Sequence, residues 1–230
     1  MPRSPRKNHL VIDGPVGPLE ALLELPAQAT TRSETEGVTQ SGSDSTVGTV
    51  AVLCHPHPQH GGTMLNKVVH TLARAMLHCG HAALRFNYRG VGASGGSYAG
   101  GEGELEDALA VIAYVRQRWP HARLRLAGFS FGGVVAARAA VMQPPERLIT
   151  VAPAVNILDM KLQALPTMPW LIVQGEADDV VPAAAVQSWV SEHLSHGGQS
   201  GPELLLLPGV GHFFHGELGT LRDAVAGWAG

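Results

Sequence analysis

From residue 48 to residue 228 the chain alternates short, almost wholly apolar runs with longer stretches whose apolar residues recur every three or four positions. No other feature restricts the fold so strongly. The runs at 50–54, 82–86, 124–127, 148–151, 171–174 and 204–207 predict buried strands. The stretches at 66–79, 105–118, 134–142, 183–194 and 221–228 predict helices. In the first of these, Val69, Leu72, Ala73, Met76 and Leu77 share one face, and Gly80 stands where a helix C-cap is expected. Strand and helix in alternation mean crossover connections, and crossovers give a mostly parallel sheet covered on both faces. Ahead of this pattern, two apolar runs at 9–13 and 19–25 flank a Gly-Pro cluster and predict an antiparallel hairpin at one edge. The Ser/Thr/Gly-rich stretch 27–47 predicts a flexible loop, so residues 1–230 are expected to form a single α/β domain.

Composition narrows the classes of partner. A net charge of −3 is too mild to imply nucleic acid or an anionic membrane, and no window is apolar enough to span a bilayer. The basic N-terminus has no apolar stretch of signal-peptide length, and Cys54 and Cys79 sit in apolar contexts that suit free thiols. A cytoplasmic protein is expected; the sequence does not bear on its oligomeric state.

Two segments match G-x-S-x-G: Gly128-Phe129-Ser130-Phe131-Gly132 and Gly92-Ala93-Ser94-Gly95-Gly96. A nucleophilic serine of this pattern needs a sharp strand-to-helix turn that holds it strained above the sheet. Ser130 has a predicted strand before it and a small-residue helix after it, whereas Ser94 runs into Gly95, Gly96, Ser97 and further glycines and is expected to be a flexible-loop serine. The Phe131 N–H, at the start of the helix, lacks an intrahelical partner and is a candidate oxyanion donor.

A serine hydroxyl needs a base, and in this architecture the partners follow in the order Ser, Asp or Glu, His, each on a loop after a strand. With twelve histidines in the chain, only position selects among them. His212 follows the last predicted strand, and Asp178 follows the one before it. Asp179, Glu176 and Asp159 compete with Asp178 as the acid, since one aspartate of the pair is also a natural cap for the helix near Pro182. His215 is a second candidate base.

Taken together, these segments resemble the α/β-hydrolase superfamily. Gly128-Phe129-Ser130-Phe131-Gly132 is similar to its nucleophile elbow, the segment from Gly175 through Asp178 to Pro182 to its acid loop, and Gly211-His212-Phe213-Phe214 to its histidine loop. The segment from Arg85 to Ser94 is similar to the loop after the fourth strand, which explains the second motif. Cys54-His55-Pro56-His57-Pro58-Gln59-His60-Gly61-Gly62-Thr63-Met64 is similar to a small, lidless, esterase-like subgroup. The resemblance implies a second oxyanion donor two residues after His55. Pro56 and Pro58 have no N–H, which leaves His57, with Gln59 as the alternative.

The interval between 151 and 169 is too short for a cap domain, so an open site is expected. Candidate substrate contacts are Phe129, Phe213, Met64 and Tyr98, with Phe131, Phe214 and Trp170 as further wall or core residues. The implied reaction is cleavage of a small-molecule ester or thioester through an acyl-enzyme, with no cofactor. Two rivals stand beside it: a metal-dependent hydrolase using His55, His57 and His60, and a non-catalytic binding protein on the same fold.

Overall fold

The computed structural model describes residues 6–27, 47–156, 166–194 and 201–230. Most of the expected loop at 27–47, and Asp159, lie outside the described residues. In chain order the elements are β1 (Arg6–Gly14), β2 (Gly17–Leu25), β3 (Thr49–Cys54), α1 (Lys67–His78), β4 (Ala82–Phe86), α2 (Glu102–Arg118), β5 (Arg123–Phe129), α3 (Phe131–Met142), β6 (Arg147–Val151), β7 (Trp170–Gly175), α4 (Ala183–Leu194), β8 (Glu203–Leu207) and α5 (Leu218–Ala229).

The strands form one eight-stranded sheet in the order β1-β2-β4-β3-β5-β6-β7-β8. Pairing is parallel from β4 to β8, and the hairpin joins antiparallel through β2 against β4. The direction of winding reverses at β3, which has β4 on one side and β5 on the other. Open α/β sheets bind ligands beside such a reversal, at the carboxyl ends of the strands.

Each central strand is buried on both faces, and side chains alternate between two core layers. Val50, Val52 and Cys54 of β3 join one layer with α2, α3 and α4; Ala51 and Leu53 join the other with α1 and α5. The face predicted for α1 is the one that packs on the sheet, and Asn66 caps it by accepting N–H bonds from Val68 and Val69. Cutting the fully buried Leu72 back to alanine should cost about 2–5 kcal/mol. Cys54 and Cys79 are free thiols.

Three helices start three residues earlier than the apolar periodicity predicts: α2, α3 at Phe131 and α5 at Leu218. Helix α2 begins at Glu102 rather than Leu105, out of a glycine run that carries no helix signal. Glu104 supplies the missing start: its carboxylate accepts from the N–H groups of Ala99 (2.9 Å) and Gly101 (2.7 Å). Ser94 likewise departs from the flexible serine expected. It is buried, accepts from the Glu20 N–H at 2.9 Å and donates to the Asn87 carbonyl at 2.8 Å, so it ties the glycine-rich loop to β2.

Candidate active site

The turn between β5 and α3 places Ser130 at φ 54°, ψ −118°, a strained conformation for a residue with a Cβ. Neighbouring backbone holds it there. Ser130 N–H donates to the Val151 carbonyl at 2.9 Å, and the Ser130 carbonyl accepts from Gly133 at 2.9 Å and Ala154 at 3.3 Å. The flanking glycines are required by space: a Cβ at Gly128 would overlap the Gly132 carbonyl, and one at Gly132 would overlap the carbonyls of Cys54 and His55. The elbow is thereby pressed against the end of β3.

The loops after β7 and β8 continue to pair beyond the sheet. Glu176 N–H donates to the Leu207 carbonyl and Ala177 N–H to the Val210 carbonyl, both at 3.0 Å. This brings Asp178 and His212 together although 34 residues separate them. His212 Nδ1 lies 2.8 Å from Asp178 Oδ2, and His212 Nε2 lies 3.2 Å from Ser130 Oγ. With the carboxylate ionised, Nδ1–H donates to Asp178 and Nε2 is free to accept the serine proton. All three side chains are buried, with Ser130 keeping 8% exposure.

Asp178 is both cap and orienter, using one oxygen for each task. Its Oδ1 accepts from the N–H groups of Val180 (2.9 Å) and Val181 (2.7 Å), and its Oδ2 accepts from His212 and from Gln174 Nε2 at 3.0 Å. Burial alone would raise its pKa, but the bonds from His212, Val181 and Val180 outweigh it and hold the carboxyl below its ordinary value. Asp179 and Glu176 are exposed, as is His215. Gln174 has no signature in the sequence, because a polar residue inside an apolar strand carries no motif. It is fully buried, and its amide also donates to the Val181 carbonyl at 2.9 Å.

The aromatic residues divide into two groups. Phe129, with no exposed surface, lies under the His212 ring at a centroid distance of 5.0 Å, while Phe213 packs edge-on at 5.1 Å and is half exposed. Phe214 is fully buried at φ 53° and anchors the histidine loop in the core. On the other side, the His57 ring contacts Phe131 and Tyr98, each at 4.9 Å. Of the four candidate substrate contacts, Phe213 and Tyr98 therefore have surface to offer, and Phe129 and Met64 do not. Met64 is buried, with its N–H on Asn87 Oδ1 and its carbonyl on Arg85 Nη1, both at 2.8 Å.

His55 is committed on both ring nitrogens. Nε2 accepts from the Tyr88 N–H at 3.2 Å, so Nδ1 carries the hydrogen and donates to the Pro56 carbonyl at 2.7 Å. Burial pushes its pKa down to about 4. A ring occupied in this way has no lone pair for a metal, and among the described residues no three His, Cys, Asp or Glu side chains converge as ligands would.

Comparison with known proteins fits this arrangement. A family model described as serine aminopeptidase, S33 matches residues 52–167, half of the chain, including the elbow. An α/β serine hydrolase homologue from Coxiella burnetii is 39% identical and superposes with a TM-score of 0.83 over 97% of both chains. The chain belongs to the α/β-hydrolase superfamily. A serine hydrolase without a lid from Xanthomonas campestris is 38% identical, with a TM-score of 0.81 over 98% of this hydrolase and 93% of that one. An uncharacterized protein of Rickettsia prowazekii is 34% identical over 76% of both chains. This hydrolase has the same lidless build: only residues 152–169 separate β6 from β7, and among the described residues no helix is long and apolar enough to cross a membrane.

Proposed function

We propose that the protein hydrolyses carboxylic esters or thioesters of small molecules through an acyl-enzyme on Ser130. The observation that carries this reading is the chain of contacts from Ser130 Oγ to His212 Nε2 (3.2 Å) and from His212 Nδ1 to Asp178 Oδ2 (2.8 Å). Ser130 Oγ attacks the acyl carbonyl while His212 Nε2 takes its proton, and Asp178 stabilises the imidazolium that forms. His212 then gives that proton to the leaving oxygen or sulfur. A water molecule, deprotonated by His212, attacks the acyl-enzyme and releases the acid, returning the proton to Ser130.

The oxyanion needs two donors. Phe131 N–H, the first in α3, has no partner within the helix. Of the two candidates after β3, Gln59 N–H already donates to His57 Nδ1 at 3.2 Å, which favours His57 N–H as the second. Loss of one such donor typically costs about 10²–10³ in kcat.

Hydrolysis of a short-chain chromogenic ester by the purified protein tests the reading. Ser130→Ala should abolish turnover and leave the thermal unfolding transition in place; persistent turnover in that variant would exclude Ser130 as the nucleophile. Parallel thioester and amide substrates establish which acyl bonds are cleaved.

A further inference from the structure

The His57 side chain forms a short relay beside the proposed oxyanion donors, separate from the Ser130–His212–Asp178 chain. Its Nδ1 accepts the Gln59 N–H at 3.2 Å, and its Nε2 lies 3.1 Å from the Tyr98 hydroxyl. A neutral imidazole with Nδ1 accepting must carry its hydrogen on Nε2. Burial, with His60 nearby, holds the His57 pKa below its ordinary value, which favours that neutral ring. Nε2–H therefore donates to the Tyr98 oxygen. The phenol keeps its own proton, because burial and Glu104 raise its pKa. Tyr98 thus accepts from His57 and has its O–H left to donate elsewhere.

The phenol is held from its other end as well. Tyr98 belongs to the glycine-rich loop, which Glu104 fixes through the N–H of Ala99, the next residue, and through Gly101 N–H. Its ring packs on His57 at 4.9 Å and faces Phe131 at 6.3 Å, the two residues whose N–H groups are the proposed oxyanion donors. The leaving group must lie at His212, which protonates it, on the side bordered by the half-exposed Phe213. The oxyanion takes the direction of the two N–H groups, and in this reading the acyl substituent passes beside them, on the side away from His212, where Tyr98 packs on His57 and lies near Phe131.

We propose that the Tyr98 hydroxyl is a substrate-binding donor oriented by the His57 imidazole, and that it selects acyl groups bearing an oxygen acceptor, such as a hydroxyl, a few bonds from the scissile carbonyl. This rests on the hydrolase reading above and adds a substrate class to it. A site built to hydrogen-bond a substrate oxygen discriminates against the analogue that lacks it.

The test compares ethyl 3-hydroxybutanoate with ethyl butanoate in a pH-stat, using wild type, Tyr98→Phe, His57→Phe and the double variant. The readout is the ratio of kcat/KM for the hydroxy ester to that for the plain ester, which cancels losses common to both. Tyr98→Phe should lower this ratio on the order of tenfold, the loss of one neutral hydrogen bond. His57→Phe keeps the backbone N–H but removes the orienting donor; it should lower the ratio in the same direction, and the double variant should add little. An unchanged ratio in Tyr98→Phe overturns the proposal and leaves the hydrolase reading intact. So does failure of the hydroxy ester to turn over in a protein whose Ser130 still reacts with a phosphonate. Failure of both esters together with an unreactive Ser130 overturns the hydrolase reading instead.

Discussion

Asp178 reaches His212 with only one of its two carboxylate oxygens; the other, Oδ1, is spent on the N–H groups of Val180 and Val181 in its own loop. This division separates the structural from the chemical contribution of the residue. Asp178→Asn can keep the Oδ1 contacts to the turn, yet its amide N–H facing His212 favours the wrong tautomer. kcat should fall about 10³–10⁴-fold, and because the new amide also faces Gln174 Nε2 as a second donor, stability should drop by about 1–3 kcal/mol. Asp179→Asn, at an exposed position, should leave kcat within about twofold of wild type. Steady-state kinetics and thermal melts on the two variants check both statements.

Gln174 donates to the same oxygen that receives His212 Nδ1–H, so it aims the carboxylate without touching substrate. Gln174→Leu removes that bond and leaves the Val181 carbonyl without its donor. The expected result is a kcat lowered roughly tenfold at nearly constant KM, with a stability loss of about 1–3 kcal/mol. Equal changes in kcat and KM, or none, would deny it a positioning role.

The two G-x-S-x-G serines should respond in opposite ways. Ser94→Ala removes an acceptor for Glu20 N–H and a donor to the Asn87 carbonyl inside the fold. It should cost about 1–3 kcal/mol in chemical denaturation and keep most of the turnover. Ser130→Ala leaves only His212 Nε2 without its partner and should lose turnover instead.

Stability should decline on mild acidification through His55. Its folded-state pKa of about 4 lies below the ordinary 6.5, so the unfolded chain takes up a proton that the folded protein excludes. The contribution of the neutral ring is complete above about pH 6.5 and is lost as pH falls from there toward 4, on the order of 3 kcal/mol in all. His55→Gln offers Tyr88 N–H an acceptor that does not titrate. Denaturant unfolding at pH 7.5 and 4.5 should show a smaller pH difference for this variant than for wild type; equal differences would mean that His55 is not the group responsible.

Much of this molecule is legible in the sequence because its strands are short and its helices periodic. The alternation from residue 48 predicts the parallel sheet, and the order of Ser130, Asp178 and His212 after the strands that become β5, β7 and β8 predicts which loops meet. The remainder depends on contacts between segments distant in sequence. Helix α2 starts early because Glu104 caps a glycine run from within the helix. Gln174 acquires its place only once the chain turns back at Asp178. His55 reads as a metal-ligand type until the Tyr88 N–H is seen to occupy it, and Phe129 reads as a substrate wall until β5 is found to turn it under His212.

The most direct test of the account is the site and rate of covalent labelling by a fluorophosphonate, followed by intact mass and peptide mapping. Wild type should gain a single adduct on Ser130, His212→Ala should react at least about 10³-fold more slowly, and Ser94→Ala should react as wild type does. An adduct on any other residue, or an undiminished rate in His212→Ala, would contradict the claim that His212 activates Ser130.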